Sequence, residues 1–133
     1  MGPGDGDSVL AATALFDSAP TADWTARFLG RDGHHLLIAY VDEVPAGFVS
    51  GVETIHPDKG TEMLLYELGV DELFRRRGIG RALVRALLAI AREQGCYGMW
   101  VPLELDNEPA VATYRSAGAD EPVSAMTMAW NFE

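Results

Sequence analysis

Apolar residues follow two rhythms along the chain. "HLLIAYV", His35 to Val41, is a nearly unbroken apolar run of strand length. "FVSGVETI", Phe48 to Ile55, makes a partner strand, and "DEVPAG" between them reads as the turn of a hairpin. "HPDKGT" is a loop. "MLLYELGV", Met63 to Val70, is apolar almost throughout, which predicts a central strand. The spacing then turns helical: Ile79, Leu83, Leu87, Ile90 and Ala91 form one stripe between Gly78 and Gln94, with Gly95 as its stop.

Upstream, Asp7 or Ser8 caps a short helix running to Asp17, after a Gly-rich start expected to fray. Val9, Leu10, Ala14 and Leu15 are its apolar positions. Thr21 caps a second helix through Leu29, ended by Gly30, with Trp24 and Phe28 as its apolar pair. Downstream, "YGMWVPLE", Tyr97 to Glu104, is a strand that Pro102 forces to an edge, a bulge or a splay. Asn107 to Ala117 is a short helix with Pro109 in its first turn. "VSAMTMAWNF", Val123 to Phe132, alternates as a final strand. The order α-α-β-β-β-α-β-α-β predicts one α/β (α+β) domain over residues 1–133, built on a mixed sheet.

Composition narrows the function. The single cysteine, Cys96, excludes an intrachain disulfide and a Cys-rich metal site. His34, His35 and His56 sit at loop or strand edges with no converging spacing, so no metal is expected. No apolar run is long enough to span a membrane, and the N-terminus lacks the basic and apolar regions of a signal peptide, so a cytoplasmic protein is expected. The net charge of −10 argues against nucleic acid as a partner and suits a cationic substrate. That charge is unevenly spread: Arg75, Arg76, Arg77, Arg81, Arg85 and Arg92 lie in a window without any Asp or Glu.

The window opens with "RRRGIG" between a strand and a helix. The first turn of a helix has amides without internal partners and a positive dipole end. Glycines let a phosphate approach the main chain. The pattern is neither a Walker loop, since no Lys follows, nor Gly-x-Gly-x-x-Gly, since position 83 is Leu. On this evidence alone it is a phosphate cradle or an arginine-rich turn.

Two motifs together decide between these. Arg75-x-x-Gly78-x-Gly80, followed by Asn107, Ala110, Tyr114 and Gly118 in "NEPAVATYRSAGA", resembles the GNAT superfamily of N-acetyltransferases. The resemblance covers residues 35–133. It implies a single-domain fold whose sheet, with helices on both faces, splays between the family's fourth and fifth strands; the family's first strand is missing here. It implies acetyl-CoA as cosubstrate. Amides from Arg76 through Arg77, Gly78 and Ile79 to Gly80 would bind the pyrophosphate, and Leu68 and Val70 would pair with the pantetheine arm. Gly69 would mark the bulge beside the splay, and Arg81 or Arg85 would reach the nucleotide phosphates. An amide of Gly69 or Val70 would polarise the thioester. Tyr114 would protonate the leaving thiolate.

The resemblance implies a base as well. Glu67 is an acid in an apolar strand, where carboxylates are rare, and ranks first; Glu104 ranks second. More narrowly, "YELGV", "EPAVATY" and "DEPV" resemble the aminoglycoside 3-N-acetyltransferases, whose catalytic aspartate would fall on Glu67. That resemblance implies a polycationic acceptor held by Glu104, Asp106, Glu108, Asp120 and Glu121. Met126, Met128 and Trp130 on the last strand are candidates for a homodimer surface.

Overall fold

The computed structural model describes residues 1–132. Its sheet has four strands in the order β1-β2-β3-β4. β1 is His34–Val41, β2 is Val44–His56, β3 is Gly60–Val70 and β4 is Met99–Trp100. The first three run antiparallel, and β4 lies parallel to β3. Four helices accompany them: α1 Gly6–Ala11, α2 Ala22–Leu29, α3 Ile79–Glu93 and α4 Glu108–Ser116. Among the described residues no strand precedes His34.

α3 covers one face of the sheet. Leu83, Val84, Leu87 and Ala91 bury into a cluster with Val49, Met63 and Leu65. Its exit is closed by two bonds. Cys96 N–H donates to the Ala91 carbonyl at 2.9 Å and Gly95 N–H to that of Arg92 at 3.1 Å. Gly95 stands at φ +77°, the left-handed residue this ending requires. α1 and α2 cover the other face, where Val9, Leu29, Leu36 and Phe48 form a second cluster.

Several expectations change here. The early helix is broken into 3-10 turns at Pro3–Asp5 and Thr13–Leu15 around α1. The start is docked rather than frayed: the Met1 ammonium donates to the Leu36 carbonyl at 3.0 Å, and Met1 packs on the second cluster. α2 begins as expected, with Thr21 Oγ1 accepting from Trp24 N–H at 3.2 Å. Its buried residues, however, are Thr25 and Leu29, one position round from Trp24 and Phe28. Trp24 faces outward with the Arg27 guanidinium 4.9 Å over its ring. The hairpin turn is shorter than six residues. Asp42 and Glu43 both take positive φ, the primed two-residue turn whose twist matches the strands. Pro45 then pairs beside the irregularity at Ala39/Tyr40, where a missing N–H is tolerated.

The last strand does not form. Residues 119–132 have no regular structure and are exposed, with Met126 at 91% and Trp130 at 77%. A strand needs an edge to pair with, and β4 has only two residues before the chain leaves the sheet. That departure is the expected splay: β3 pairs with β4 only at Met63–Met99 and Leu64–Trp100, and Val101 to Glu104 diverge.

Candidate functional site

β3 carries an extra residue at a decisive point. Ser50 pairs with Glu67 and Gly51 with Leu65, so Tyr66 has no partner on β2. In a regular strand Glu67 would share the face of Met63 and Leu65, against α3. The bulge reverses that parity. Leu68 now joins the α3 cluster, while Glu67 turns to the face covered by α1 and α2. There it lines a cavity of about 420 Å³ with Phe16, Trp24, Phe28, Leu36, Ser50 and Tyr66. Burial, and secondarily the Asp17 carboxylate, raise the Glu67 carboxyl above its usual range. The bulge was expected at Gly69. Gly69 is in register opposite Phe48, and a Cβ on it would stand 2.9 Å from Phe48 Cε1. Its glycine is a packing requirement.

The same cavity receives His34, Arg27 and Arg31. His34 Nδ1 is buried without a partner. Burial first, then the charges of Arg31 and His35, lower its pKa, so the ring is neutral at neutral pH. The other histidines are engaged elsewhere: His35 Nε2 lies 2.6 Å from Glu53 and His56 Nε2 3.5 Å from Glu62. Among the described residues no cluster suited to a metal ion occurs. Among the described residues no helix is long and apolar enough to cross a membrane.

A second cavity, of about 530 Å³, opens on the α3 face beside the splay, lined by Leu65, Trp100, Val101, Leu103, Val111 and Tyr114. Burial raises the Tyr114 phenol, so it is protonated at neutral pH. Glu67 and Tyr114 therefore flank β3 from opposite faces. Asp71 N–H donates to the Ala46 carbonyl. Because successive residues of an antiparallel strand direct their main-chain groups to alternate sides, Leu68 and Val70 turn theirs towards the gap that β4 leaves. Gly69 N–H is thereby turned to β2, which leaves Val70 as the outward amide of the two. The Val70 carbonyl is taken by Arg75 Nε at 3.2 Å.

The arginine-glycine turn lies at the same end of β3. Arg76 and Gly78 are both left-handed, at φ +64° and +78°. Ala82 is the first α3 amide with a partner, the Gly78 carbonyl at 3.0 Å. Among the described residues no hydrogen bond takes the amides of residues 76–81. Arg77 lies 5.6 Å over the Phe74 ring, while among the described residues Arg76, Arg81 and Arg85 have no polar partner. This is a helix start with open amides beside exposed arginines, and a Cβ on Gly78 would meet nothing within 4 Å. A Cβ on Gly80 would stand 3.2 Å from Thr113 Cγ2, so Gly80 also lets α4 approach.

Other candidates fall outside this arrangement. Asn107 Oδ1 accepts from Ala110 N–H at 3.2 Å, capping α4, so both residues have a structural use. Glu104 is exposed on the diverging segment and lines neither cavity, because the splay carries it away from β3. The expected acidic wall is likewise absent around Glu67. Asp120 and Glu121 line the second cavity, and Glu104, Asp106 and Glu108 line neither. The sequence reading missed Ser50, whose signal was a lone hydroxyl in the apolar run "FVSG".

Residues 8–119 match the family described as acetyltransferase (GNAT) family. N-acetyltransferase 8 of Homo sapiens is 30% identical over 110 residues, covering 82% of this chain and 48% of that protein. The ribosomal protein bS18-alanine N-acetyltransferase of Salmonella typhimurium is 35% identical over 114 residues, covering 84% of this chain and 74% of that protein. The chain thus spans about half the length of the human relative. Among solved structures, an aminoglycoside acetyltransferase (meta-AAC0020) from an uncultured soil metagenomic sample, in complex with sisomicin, superposes with a TM-score of 0.85 at 19% identity. It covers 98% of this chain and 93% of that one. Aminoglycoside N-acetyltransferase AAC(6′)-Iy in complex with CoA gives 0.79 at 19% identity, covering 98% and 91%. These likenesses show the fold.

Proposed function

The chain belongs to the GNAT acetyltransferase family, and on that premise we propose that it transfers the acetyl group of acetyl-CoA to a primary amine received in the cavity beside Glu67. The observation that carries this reading is the Tyr66 bulge, which delivers a carboxyl of raised pKa into the cavity on the α1 and α2 face of β3. Glu67 takes a proton from the ammonium, giving the neutral nucleophile. The amine nitrogen attacks the thioester carbon, and the Val70 amide stabilises the oxygen as charge develops. The C–S bond breaks as Tyr114 gives its proton to the leaving thiolate, and the second proton lost by the nitrogen as it becomes an amide passes through solvent to restore the Tyr114 phenol. The bare amides of residues 76–81 and the guanidinium groups of Arg76 and Arg81 hold the phosphates. The open main-chain groups of Leu68 pair with the pantetheine arm, while at Val70 the carbonyl is held by Arg75 and the amide serves the thioester oxygen.

For the acceptor, a singly charged amine such as a polypeptide N-terminus fits best. Phe16, Trp24, Phe28 and Tyr66 supply aromatic wall, and among the described residues that line the cavity Arg27, paired with Asp23 at 3.5 Å, and Arg31 are the charged side chains besides Glu67. A polycation would meet those arginines unfavourably. The relative that acts on ribosomal protein bS18 alanine supports the same class. The second reading is an aminoglycoside, at the 3-amino group or another, favoured by the fold shared with aminoglycoside acetyltransferases.

Thiol release from acetyl-CoA distinguishes them, with kanamycin, gentamicin, spermidine and an alanyl peptide as acceptors. Faster turnover of the peptide supports the first reading. Turnover confined to the aminoglycosides replaces it with the second. Tight acetyl-CoA binding without thiol release would make the chain a non-catalytic acyl-CoA-binding module.

A further inference from the structure

The cavity beside Glu67 has two buried polar atoms that the transfer steps leave unused, His34 Nδ1 and Ser50 Oγ, and of these Ser50 lies in register with Glu67. Ser50 is only 5% exposed, yet among the described residues its hydroxyl has no hydrogen-bond partner. Its neighbours along β2, Phe48 and Val49, are buried and apolar. A buried hydroxyl without a partner loses its water bonds and gains nothing in exchange. Such a group in a cavity wall is explained when a ligand supplies the missing bond.

The register gives the ligand its shape. Leu36, Ser50 and Glu67 form one row across three strands, and all line the cavity. Residues directly opposite in antiparallel strands have Cβ atoms about 4.5–5.5 Å apart. The Ser50 hydroxyl and the Glu67 carboxyl are thus side by side on one floor, without bonding each other. We infer that Ser50 and Glu67 together seat the acceptor amine, and that Ser50 is a positioning residue whose oxygen accepts one amine N–H. Once the ammonium has given a proton to Glu67, the neutral amine keeps two N–H bonds. One points to Ser50 Oγ and the other to the free oxygen of the Glu67 carboxyl. The lone pair is left facing Glu67, where the proton was, and rotation about the C–N bond sets the two N–H bonds in these positions and turns the lone pair off the floor. Ser50 keeps its own proton, and no bond to Oγ forms or breaks.

This seat defines an acceptor class. A secondary amine retains only one N–H after deprotonation and sets a carbon against the Ser50 oxygen, so it is disfavoured. Leu36 in the same row and Phe28, packed on the cluster that holds Leu36, give an apolar surface to the carbon bearing the amine. The acceptor is a primary amine on a carbon with an apolar substituent. The inference rests on the transfer reading for its chemistry, and binding tests it separately.

L-alaninamide is titrated into the full chain while the carboxyl carbon of Glu67 is followed by NMR. Wild type should show a saturable shift, and N-methyl-L-alaninamide should bind about tenfold more weakly. Ser50→Ala should weaken alaninamide about tenfold and abolish the preference between the two amines. Ser50→Thr, which keeps the hydroxyl, should restore both. Ser50→Ala should melt no lower than wild type, since it removes an unpaired buried group. Wild-type affinity or preference retained in Ser50→Ala, no saturation in wild type, or a Ser50→Ala chain that melts well below wild type would each overturn the seat. Thiol release from acetyl-CoA with alaninamide runs alongside. Ser50-dependent binding without thiol release sinks the transfer reading and keeps the seat; thiol release indifferent to Ser50 does the reverse.

Discussion

At Glu67, burial and the nearby Asp17 carboxylate both penalise the ionised form. The folded chain therefore holds this proton to higher pH than the unfolded chain does. Between the two pKa values the native state binds more protons, so stability falls as pH rises through that range. Glu67→Gln removes the penalty. It should melt above wild type at about pH 7, and the difference should vanish at about pH 3, where the carboxyl is protonated in both states. The same variant should lose about 10²–10⁴-fold in turnover of whichever amine is accepted. Equal melting temperatures at both pH values would place Glu67 in solvent. Asn107 presents the opposite case, a residue implied by resemblance to touch the cofactor whose oxygen caps α4. Asn107→Ala should cost about 1 kcal/mol in urea unfolding, with Asn107→Ser within a few tenths of wild type. A full loss of acetyl-CoA binding in the serine variant, with stability intact, would return Asn107 to the cofactor.

Among the elements, α3 was the most legible from sequence, because a 3.6-residue stripe and a terminal glycine act locally and agree. The bulge was not legible. "MLLYELGV" is apolar on both parities, so sequence alone allows either face to carry Glu67. What settles the register is the opposite strand: Gly51 must face Leu87 and Met63, and Gly47 must lie beneath Gly69, Ile79 and Leu83. A Cβ on Gly47 would stand 2.9 Å from the Gly69 carbonyl oxygen, a main-chain atom held in the sheet. Gly47→Ala should therefore destabilise by about 1–3 kcal/mol, read as a lower urea midpoint at unchanged slope. An unchanged midpoint would mean that β2 and β3 can separate there at no cost. α2 was read one residue out of phase because Trp24 and Phe28 are the larger side chains, whereas contact with β1 and α1 selects Thr25 and Leu29.

In the whole molecule, the segment after α4 is where local pattern and tertiary context diverge. Met126, Met128, Trp130 and Phe132 alternate as a strand does, yet pairing depends on an edge elsewhere, which periodicity cannot supply. Mild peroxide should oxidise Met126 and Met128, at 91% and 80% exposure, well before the fully buried Met63, as read by peptide mass spectrometry. Protection of both would mean that this segment is covered in solution. The other global property is electrical. A net charge of −10 surrounds a helix start where Arg76, Arg81 and Arg85 are exposed and, among the described residues, have no polar partner. Most of the surface repels an approaching polyphosphate, and one region draws it in. Diffusion is thereby biased in direction as well as rate. The stopped-flow association rate of CoA should fall severalfold as added salt shortens the screening length towards 10 Å, with dissociation changing less. Read this way, the acidic exterior acts as a funnel: the anion that arrives is already turned, phosphates first, towards the end of β3 where the sheet divides.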